Sequence, residues 1–254
     1  TVIALAKIGV TAALVNTSQT GKALTHSINL VKPIAIIMGE ECRAAVDEVR
    51  QDLLLKEDRF HWFADQETLV DAGKSPKGWT NLAEKIIHFP KFNTPTTHSI
   101  QGKDGLFYIY TSGTTGLPKA VIFTHSRWTL AYGTYGHILA LTSDDVMYCP
   151  LPLYHATGIV VCWCGVIAGS ATLALRRKYS TSAFWKDVQK FDASAIGYVG
   201  ELCRYLMDAP SSELERGHRV KKMIGNGMRP NIWDKFKQRF GVEEILALNA
   251  YSDG

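Results

Sequence analysis

Residues 110–120 read Tyr-Thr-Ser-Gly-Thr-Thr-Gly-Leu-Pro-Lys-Ala and follow directly on the apolar run Leu106, Phe107, Tyr108, Ile109. The run has the character of a buried strand, and the string after it is a loop dense in hydroxyls and glycine that carries one lysine. Gly113 and Gly116 let the backbone adopt conformations other residues avoid and approach an anion closely. Consecutive amide N–H groups and the hydroxyls of Thr111, Ser112, Thr114 and Thr115 can donate to phosphate oxygens, and Lys119 supplies positive charge. The spacing excludes the Walker loop, which needs four residues between its glycines and then Gly-Lys-Ser/Thr, and it excludes the dinucleotide fingerprint. By composition alone the string is equally a plain turn; by order and residue type it points to a nucleoside triphosphate.

Outward from this loop, apolar runs alternate with helical periodicity. On the N-terminal side 10–15 is a short apolar run, and Leu24, Ile28 and Val31 have helical spacing up to Pro33. A strand is expected over 34–38 ending at Gly39, then a helix over 40–53 with Cys42, Ala45, Val46, Val49 and Leu53 on one stripe. A strand over 59–64, a turn over 74–80, a helix over 82–87 and a polar connection over 91–104 complete this half. On the C-terminal side a strand resumes at 121–123, and Thr124 is placed to cap a helix over 126–141. Strands are expected at 146–149, 171–175, 194–199 and 220–224. Helices are expected from a cap at Ser182 to Lys190, over 202–207, and from Pro230 to Phe240 with Gly241 as the stop. Strands alternating with helices predict an α/β fold of mainly parallel sheets flanked by helices on both faces. Ligands in such sheets lie at the carboxyl ends of the strands. The loops of interest, 110–119, 150–158, 198–201, 225–229 and 249–254, are all placed after strands.

Bulk properties narrow the class. The chain has 254 residues and 46% apolar content, enough for one large domain or two. A net charge of +4 with scattered basic residues gives no nucleic-acid surface, and Arg176, Arg177 and Lys178 read as a solvated strand end. Five dispersed cysteines do not make a disulfide framework and fit a reducing compartment. Cys162 and Cys164 read as buried thiols, not metal ligands. The opening residues Thr-Val-Ile-Ala-Leu-Ala are not expected to act as a signal peptide. The charge-free stretch 151–175 is long enough to span a membrane, but Pro152, His155 and three glycines favour a buried helix followed by a buried strand.

The string at 110–120 resembles the phosphate-loop signature of the adenylate-forming (AMP-binding) superfamily. From about Phe107 to Phe240 the chain resembles its fatty-acid transport protein and very-long-chain acyl-CoA synthetase branch. That resemblance is carried by Leu-Pro-Leu-Tyr-His at 151–155, Gly-Glu-Leu-Cys-Arg-Tyr-Leu at 200–206 and Gly-Asn-Gly-Met-Arg at 225–229. Leu-Ala-Lys-Ile-Gly-Val near the start and His-Ser-Ile-Asn-Leu at 26–30 fit the same branch. The resemblance implies a ligase that joins a fatty-acid carboxylate to AMP from ATP and then passes the acyl group to coenzyme A, with Mg²⁺ assisting. It implies that Thr111, Ser112, Gly113, Thr114, Thr115, Gly116 and Lys119 hold phosphates, with Lys119 and His155 catalytic. His155 would close on the reacting carboxylate, Tyr198, Val199 and Gly200 would line the acyl and adenine junction, and Gly225, Asn226 and Gly227 would pack against adenine. Plain sheet core is the competing reading for Tyr198 and Val199.

Where the family has an aromatic-Gly-Ala-Thr-Glu string, this chain has Asn249, Ala250, Tyr251, Ser252, Asp253 and Gly254. Ser252 would keep the phosphate hydroxyl and Asp253 the metal carboxylate, one methylene shorter. In the family a ribose-binding aspartate, a hinge and a C-terminal domain with an adenylation lysine follow, so the chain is expected to be an incomplete adenylation domain, inactive alone in the full reaction. It would divide into a first α/β lobe, 1–124, ending in the phosphate loop, and a second, 125–254, carrying acyl and adenine elements. The expected partners are fatty acid, ATP and CoA, in the cytoplasm or peripherally on the cytoplasmic face of a membrane, with oligomeric state left open. Two rivals stand beside this reading: an acyl- or nucleotide-binding fragment or lipid-uptake component, and a ligase for another carboxylic acid.

Overall fold

The computed structural model of the protein describes residues 1–63, 75–111 and 116–248. The chain folds into two compact units, Thr1–Gln101 with Gly105–Ile122, and Gly102–Asp104 with Phe123–Gly254. In the first unit the elements are α1 (Val2–Ala6), β1 (Ala12–Leu14), α2 (Gly21–Leu30), β2 (Ile36–Gly39), α3 (Arg43–Val49), β3 (Phe60–Phe63), β4 (Thr80–Asn81), α4 (Leu82–Ile86), β5 (Gly105–Thr111) and the start of β6 (Lys119–Thr124). Two three-stranded sheets result, in the orders β1-β5-β6 and β2-β3-β4. β1 runs parallel to β5, and β2, β3 and β4 are mutually parallel.

The helix expected over 40–53 is three pieces, with single 3₁₀ turns at Glu40–Cys42 and Arg50–Asp52 around α3. Its apolar stripe still does what the periodicity requires: Val46, Val49 and Leu53 are buried with Leu24, Ile28, Phe60, Trp62 and Trp79. Polar groups tie the pieces to the sheet. The Trp62 indole donates to Glu40 at 2.7 Å, the Trp79 indole donates to Asp47 at 2.9 Å, and the Arg50 guanidinium lies 3.8 Å from the Phe60 ring centroid.

The second unit contains α5 (His125–Leu139), β7 (Val146–Cys149), a π turn (Thr157–Cys162) leading into α6 (Trp163–Gly169), β8 (Thr172–Leu175), α7 (Thr181–Lys190), β9 (Ala195–Val199), α8 (Gly200–Asp208), β10 (Lys222–Asn226), α9 (Pro230–Phe240) and β11 (Glu244–Ala247). The Thr124 hydroxyl caps α5 by accepting from the Arg127 N–H at 3.3 Å. The cap of α7 is Ser180, not Ser182. Ser180 has extended backbone and its Oγ accepts from the Ala183 N–H at 3.3 Å, whereas Ser182 already lies inside the first turn. The long apolar stretch 151–175 is the π turn, α6 and β8, and its side chains build the core. Among the described residues no helix is long and apolar enough to cross a membrane.

The five strands form one parallel sheet in the order β11-β10-β9-β7-β8. Side chains alternate faces along a strand. Tyr148 meets Phe184 of α7 at 5.3 Å between centroids, and its register partner Ile196 shares that face. The neighbouring residues turn the other way: the Cys149 thiol lies beside Cys162 of the π turn, and Gly197 sits so close to the Cys162 thiol that a Cβ there would lie 2.3 Å from its sulfur. Helices therefore cover both faces. The β7-to-β8 crossover uses the π turn and α6 on one face, while α7 lies on the other. The chain steps from β7 outward to β8, then returns to the opposite side of β7 for β9, β10 and β11. That reversal between β7 and β9 is a topological switch point, where the loops at the strand ends splay apart and leave a crevice.

Candidate active site

The first unit holds the phosphate-type loop. Leu106, Phe107 and Ile109 are buried and fix β5, which ends at half-buried Thr111. Ser112, Gly113, Thr114 and Thr115 lie outside the described residues. Gly116 has φ +85°, a left-handed conformation that glycine adopts without strain, and a Cβ there would meet nothing within 4 Å. Lys119 opens β6, is exposed, and has no hydrogen bond or ion pair through its ammonium among the described residues. Both flanks of the loop are anchored to α2: the Tyr110 hydroxyl donates to the Ser27 carbonyl at 2.7 Å, and His26 Nε2 lies 2.9 Å from the Pro118 carbonyl oxygen. A carbonyl only accepts, so Nε2 carries the proton.

The second unit gathers three motif segments at the carboxyl edge of its sheet: 150–158 after β7, Gly200 after β9, and Asn226-Gly227 at the end of β10. The first is a compact turn. The His155 N–H donates to the Pro152 carbonyl at 3.1 Å, and the His155 carbonyl accepts from the Ile159 N–H at 3.1 Å. Gly158 is required there, since a Cβ would lie 2.6 Å from the Pro152 oxygen. The His155 and Tyr154 rings lie 4.7 Å apart at a 54° tilt. His155 is exposed as a residue, though its ring is partly desolvated. That desolvation lowers its pKa below the ordinary histidine value, so the imidazole is neutral at pH 7. The π turn that follows is a distortion found at functional sites more often than elsewhere in helices.

The other two segments touch backbone to backbone. Val199 and Asn226 are register partners, as are Tyr198 and Gly225. A Cβ on Gly200 would lie 1.7 Å from the Gly227 oxygen, and one on Gly225 would lie 1.9 Å from the Tyr198 oxygen. Gly225 and Gly200 are thus demanded first by strand packing. Gly227 is different: it has φ +74° and open space, and a methyl group added there would have no atom nearer than 3.7 Å. Tyr198 is fully buried and its hydroxyl donates to the Leu246 carbonyl at 3.1 Å, so it acts as sheet core that ties β9 across β10 to β11. The Asn226 side chain is half-buried and makes no hydrogen bond among the described residues, leaving its amide free at the sheet edge.

Ser252 and Asp253 lie outside the described residues. Among the described residues no three His, Cys, Asp or Glu side chains converge on a point that would hold a metal. Cys162 and Cys164 are buried, and the Cys149 contact together with burial raises the Cys162 thiol well above its ordinary pKa. Sequence reading missed the anchors to α2, because His26 and Pro118 stand 92 positions apart and nothing in either segment announces the other.

The chain matches the AMP-binding enzyme family over residues 1–251 and belongs to it. It is 37% identical over 262 residues to a medium/long-chain fatty acid–CoA ligase, FadD6, of Mycobacterium tuberculosis, covering 99% of this chain and 40% of that protein. It is 40% identical over 251 residues to long-chain fatty acid transport protein 1 of Rattus norvegicus, covering 96% of this chain and 37% of that protein. The chain therefore spans less than half the length of these relatives. Its fold is shared with the N-terminal domain of FACL13 from Mycobacterium tuberculosis, at TM-score 0.77 and 19% identity over 98% of this chain and 58% of that one. The anthranilate CoA ligase AuaEII shares it too, at TM-score 0.78 and 17% identity over 94% of this chain and 46% of that one.

Proposed function

We propose that this chain is the nucleotide- and acyl-handling part of an ATP-dependent long- or very-long-chain fatty acid:CoA ligase. The observation that carries the reading is the switch point between β7 and β9, at which His155, Gly200 and Asn226 stand on one sheet edge where α/β sheets bind ligands. Membership of the AMP-binding enzyme family and the names of the fatty-acid relatives support the substrate class.

In the reaction so assigned, a carboxylate oxygen bonds to the α-phosphorus of ATP while the bond from that phosphorus to pyrophosphate breaks. The thiolate of coenzyme A then bonds to the acyl carbon and AMP leaves. Such transfers depend on positioning and charge stabilisation more than on covalent help from the protein. The 111–119 loop would hold the β- and γ-phosphates through its amides and hydroxyls. Lys119, whose ammonium has no protein partner among the described residues, would offset charge on the departing pyrophosphate. Gly227, with its open face, and the free Asn226 amide are the groups suited to the base. His155, neutral at pH 7, would orient the acyl carboxylate by donating a ring N–H, without adding a positive charge that would pair with phosphate. Mg²⁺ would supply charge neutralisation when bound, with Asp253 as the carboxylate proposed to hold it and the Ser252 hydroxyl proposed to contact phosphate.

A site in the cytoplasm or against the cytoplasmic face of a membrane accords with fatty acid, ATP and CoA as substrates. The direct check on the phosphate loop is calorimetry. Lys119→Ala with Thr115→Ala removes charge-assisted phosphate contacts, so ATP affinity should fall at least tenfold, by roughly 1.4 kcal/mol or more. Unchanged affinity in the double variant removes the loop from the nucleotide site.

A further inference from the structure

Helix α2 grips the phosphate loop from both sides, and we propose that His26 and Tyr110 are positioning residues that set this loop, an inference that rests on the nucleotide reading above. The grip begins as a helix-end problem. The last four carbonyls of a helix have no partner within it. For α2 these belong to residues 27–30. The Lys32 N–H takes the Asn29 carbonyl at 3.1 Å, and fully buried Ser27 is one of the four whose carbonyls look to donors outside the helix. Tyr110, one residue before the end of β5, supplies the missing donor at 2.7 Å. Burial pushes the Tyr110 hydroxyl up to about 12, so it stays a donor at every working pH.

The second anchor comes from the adjacent residue of the same helix. His26 Nε2 donates to the Pro118 carbonyl at 2.9 Å, at the peptide that leads directly into Lys119. Proline already fixes φ at 118, so holding its carbonyl restricts the remaining freedom of that peptide plane. The described flanks at 110 and 118 are thereby tied to neighbouring residues of one helix, which limits the backbone freedom of Pro118 and of Lys119 after it. A cleft of about 500 Å³, bordered by His26, Lys32, Tyr108, Leu117 and Lys119, lies beside the C-terminal limb. Packing does not hold the limb on that side, so the limb has room to shift once the His26 bond is cut. Neither residue is assigned a contact with phosphate; both act through the backbone of the loop.

The test compares His26→Leu, His26→Gln and Tyr110→Phe with the native chain by two readouts. One is ATP affinity by calorimetry. The other is hydrogen exchange of the backbone amides over 116–120 in the free protein, which needs no nucleotide. His26→Leu should weaken ATP about three- to tenfold, the loss of one net hydrogen bond, and speed exchange over 116–120 by a similar factor without lowering the melting temperature of the rest of the chain. His26→Gln, which can still donate to the Pro118 carbonyl, should recover most of both effects, a recovery that a general packing defect would not give. Should His26→Leu not fold, Tyr110→Phe removes a single oxygen and carries the same expectation. Exchange unchanged in both His26→Leu and Tyr110→Phe overturns the proposal. Native binding of ATP that Lys119→Ala abolishes but His26→Leu leaves intact overturns it while the nucleotide reading stands. Faster exchange in a native-like chain that binds no ATP supports the anchor and overturns the nucleotide reading.

Discussion

Placing a single methyl group at Gly200 tests whether the candidate site is built by backbone contact between two loops. An added Cβ would lie 1.7 Å from the Gly227 carbonyl oxygen and 2.8 Å from the Met228 nitrogen. Since contacts under 3.0 Å essentially never occur, at least 1.3 Å of movement is needed, the difference between that limit and 1.7 Å. Neither side is free to give it. Gly200 follows Val199, whose strand partner is Asn226, and Gly227 follows Asn226 directly. Relief therefore means parting the end of the β9–β10 ladder. Overpacking with a backbone shift, plus about one lost hydrogen bond, should cost about 2–4 kcal/mol. Two further glycines provide controls of the same chemical change. Gly227→Ala meets no atom closer than 3.7 Å but is strained by φ +74°, so it should cost about 1–2 kcal/mol. Gly133→Ala, within α5 with nothing in 4 Å, should stabilise by about 0.5–1 kcal/mol. Urea unfolding followed by circular dichroism at neutral pH should rank Gly133→Ala above the native chain, then Gly227→Ala, then Gly200→Ala. A Gly200→Ala midpoint indistinguishable from native refutes the loop-to-loop contact.

Capping and protonation give further expectations. Ser180→Ala should destabilise by about 1 kcal/mol through loss of the α7 cap, whereas Ser182→Ala should stay within about 0.5 kcal/mol in the same urea assay. His218 stacks on Trp185 at 5.1 Å and 10°, its Nδ1 accepts from the Val220 N–H at 3.2 Å, and desolvation lowers its pKa below 6.5. His61 and His155 shift the same way, also through desolvation. The unfolded chain then binds these protons first, so the stability they contribute is present above 6.5 and is lost as pH falls through the lower folded values. Melting temperature should drop on acidification below 6.5, and His218→Phe should flatten that drop even if it lowers the whole curve; an unchanged slope contradicts the assignment.

Much of this architecture is legible in the sequence, and the limits are physical. β7 at Val146–Cys149 and α9 at Pro230–Phe240 carry their own signals, an apolar run in one case and a proline start with a left-handed Gly241 stop in the other. β11 at Glu244–Ala247 is not legible, because Glu-Ile-Leu-Ala suits a helix and becomes a strand only by pairing with β10. α1, at Val2–Ala6, has no polar face to mark its period, and β4 is two residues long. Ser180 and Ser182 are both plausible caps by type; only the extended backbone at Ser180 decides between them. In the site, motif strings point to His155, Lys119 and Gly227. They cannot disclose that Gly200 and Gly225 are fixed by strand packing, or that His26 reaches Pro118, since those contacts join segments distant in sequence.

The central proposal is that the full-length protein joins a fatty-acid carboxylate to AMP. Burying an alkyl chain gains roughly 0.8 kcal/mol per methylene, so apparent affinity should climb steeply with acyl length until the acyl site is filled. Pyrophosphate release by the full-length gene product, measured across acetate, benzoate, octanoate, palmitate and a longer fatty acid, reports the adenylation step directly. The account predicts release that depends on the acid and is greatest with palmitate or the longer chain; preference for acetate or benzoate, or release independent of any acid, contradicts it.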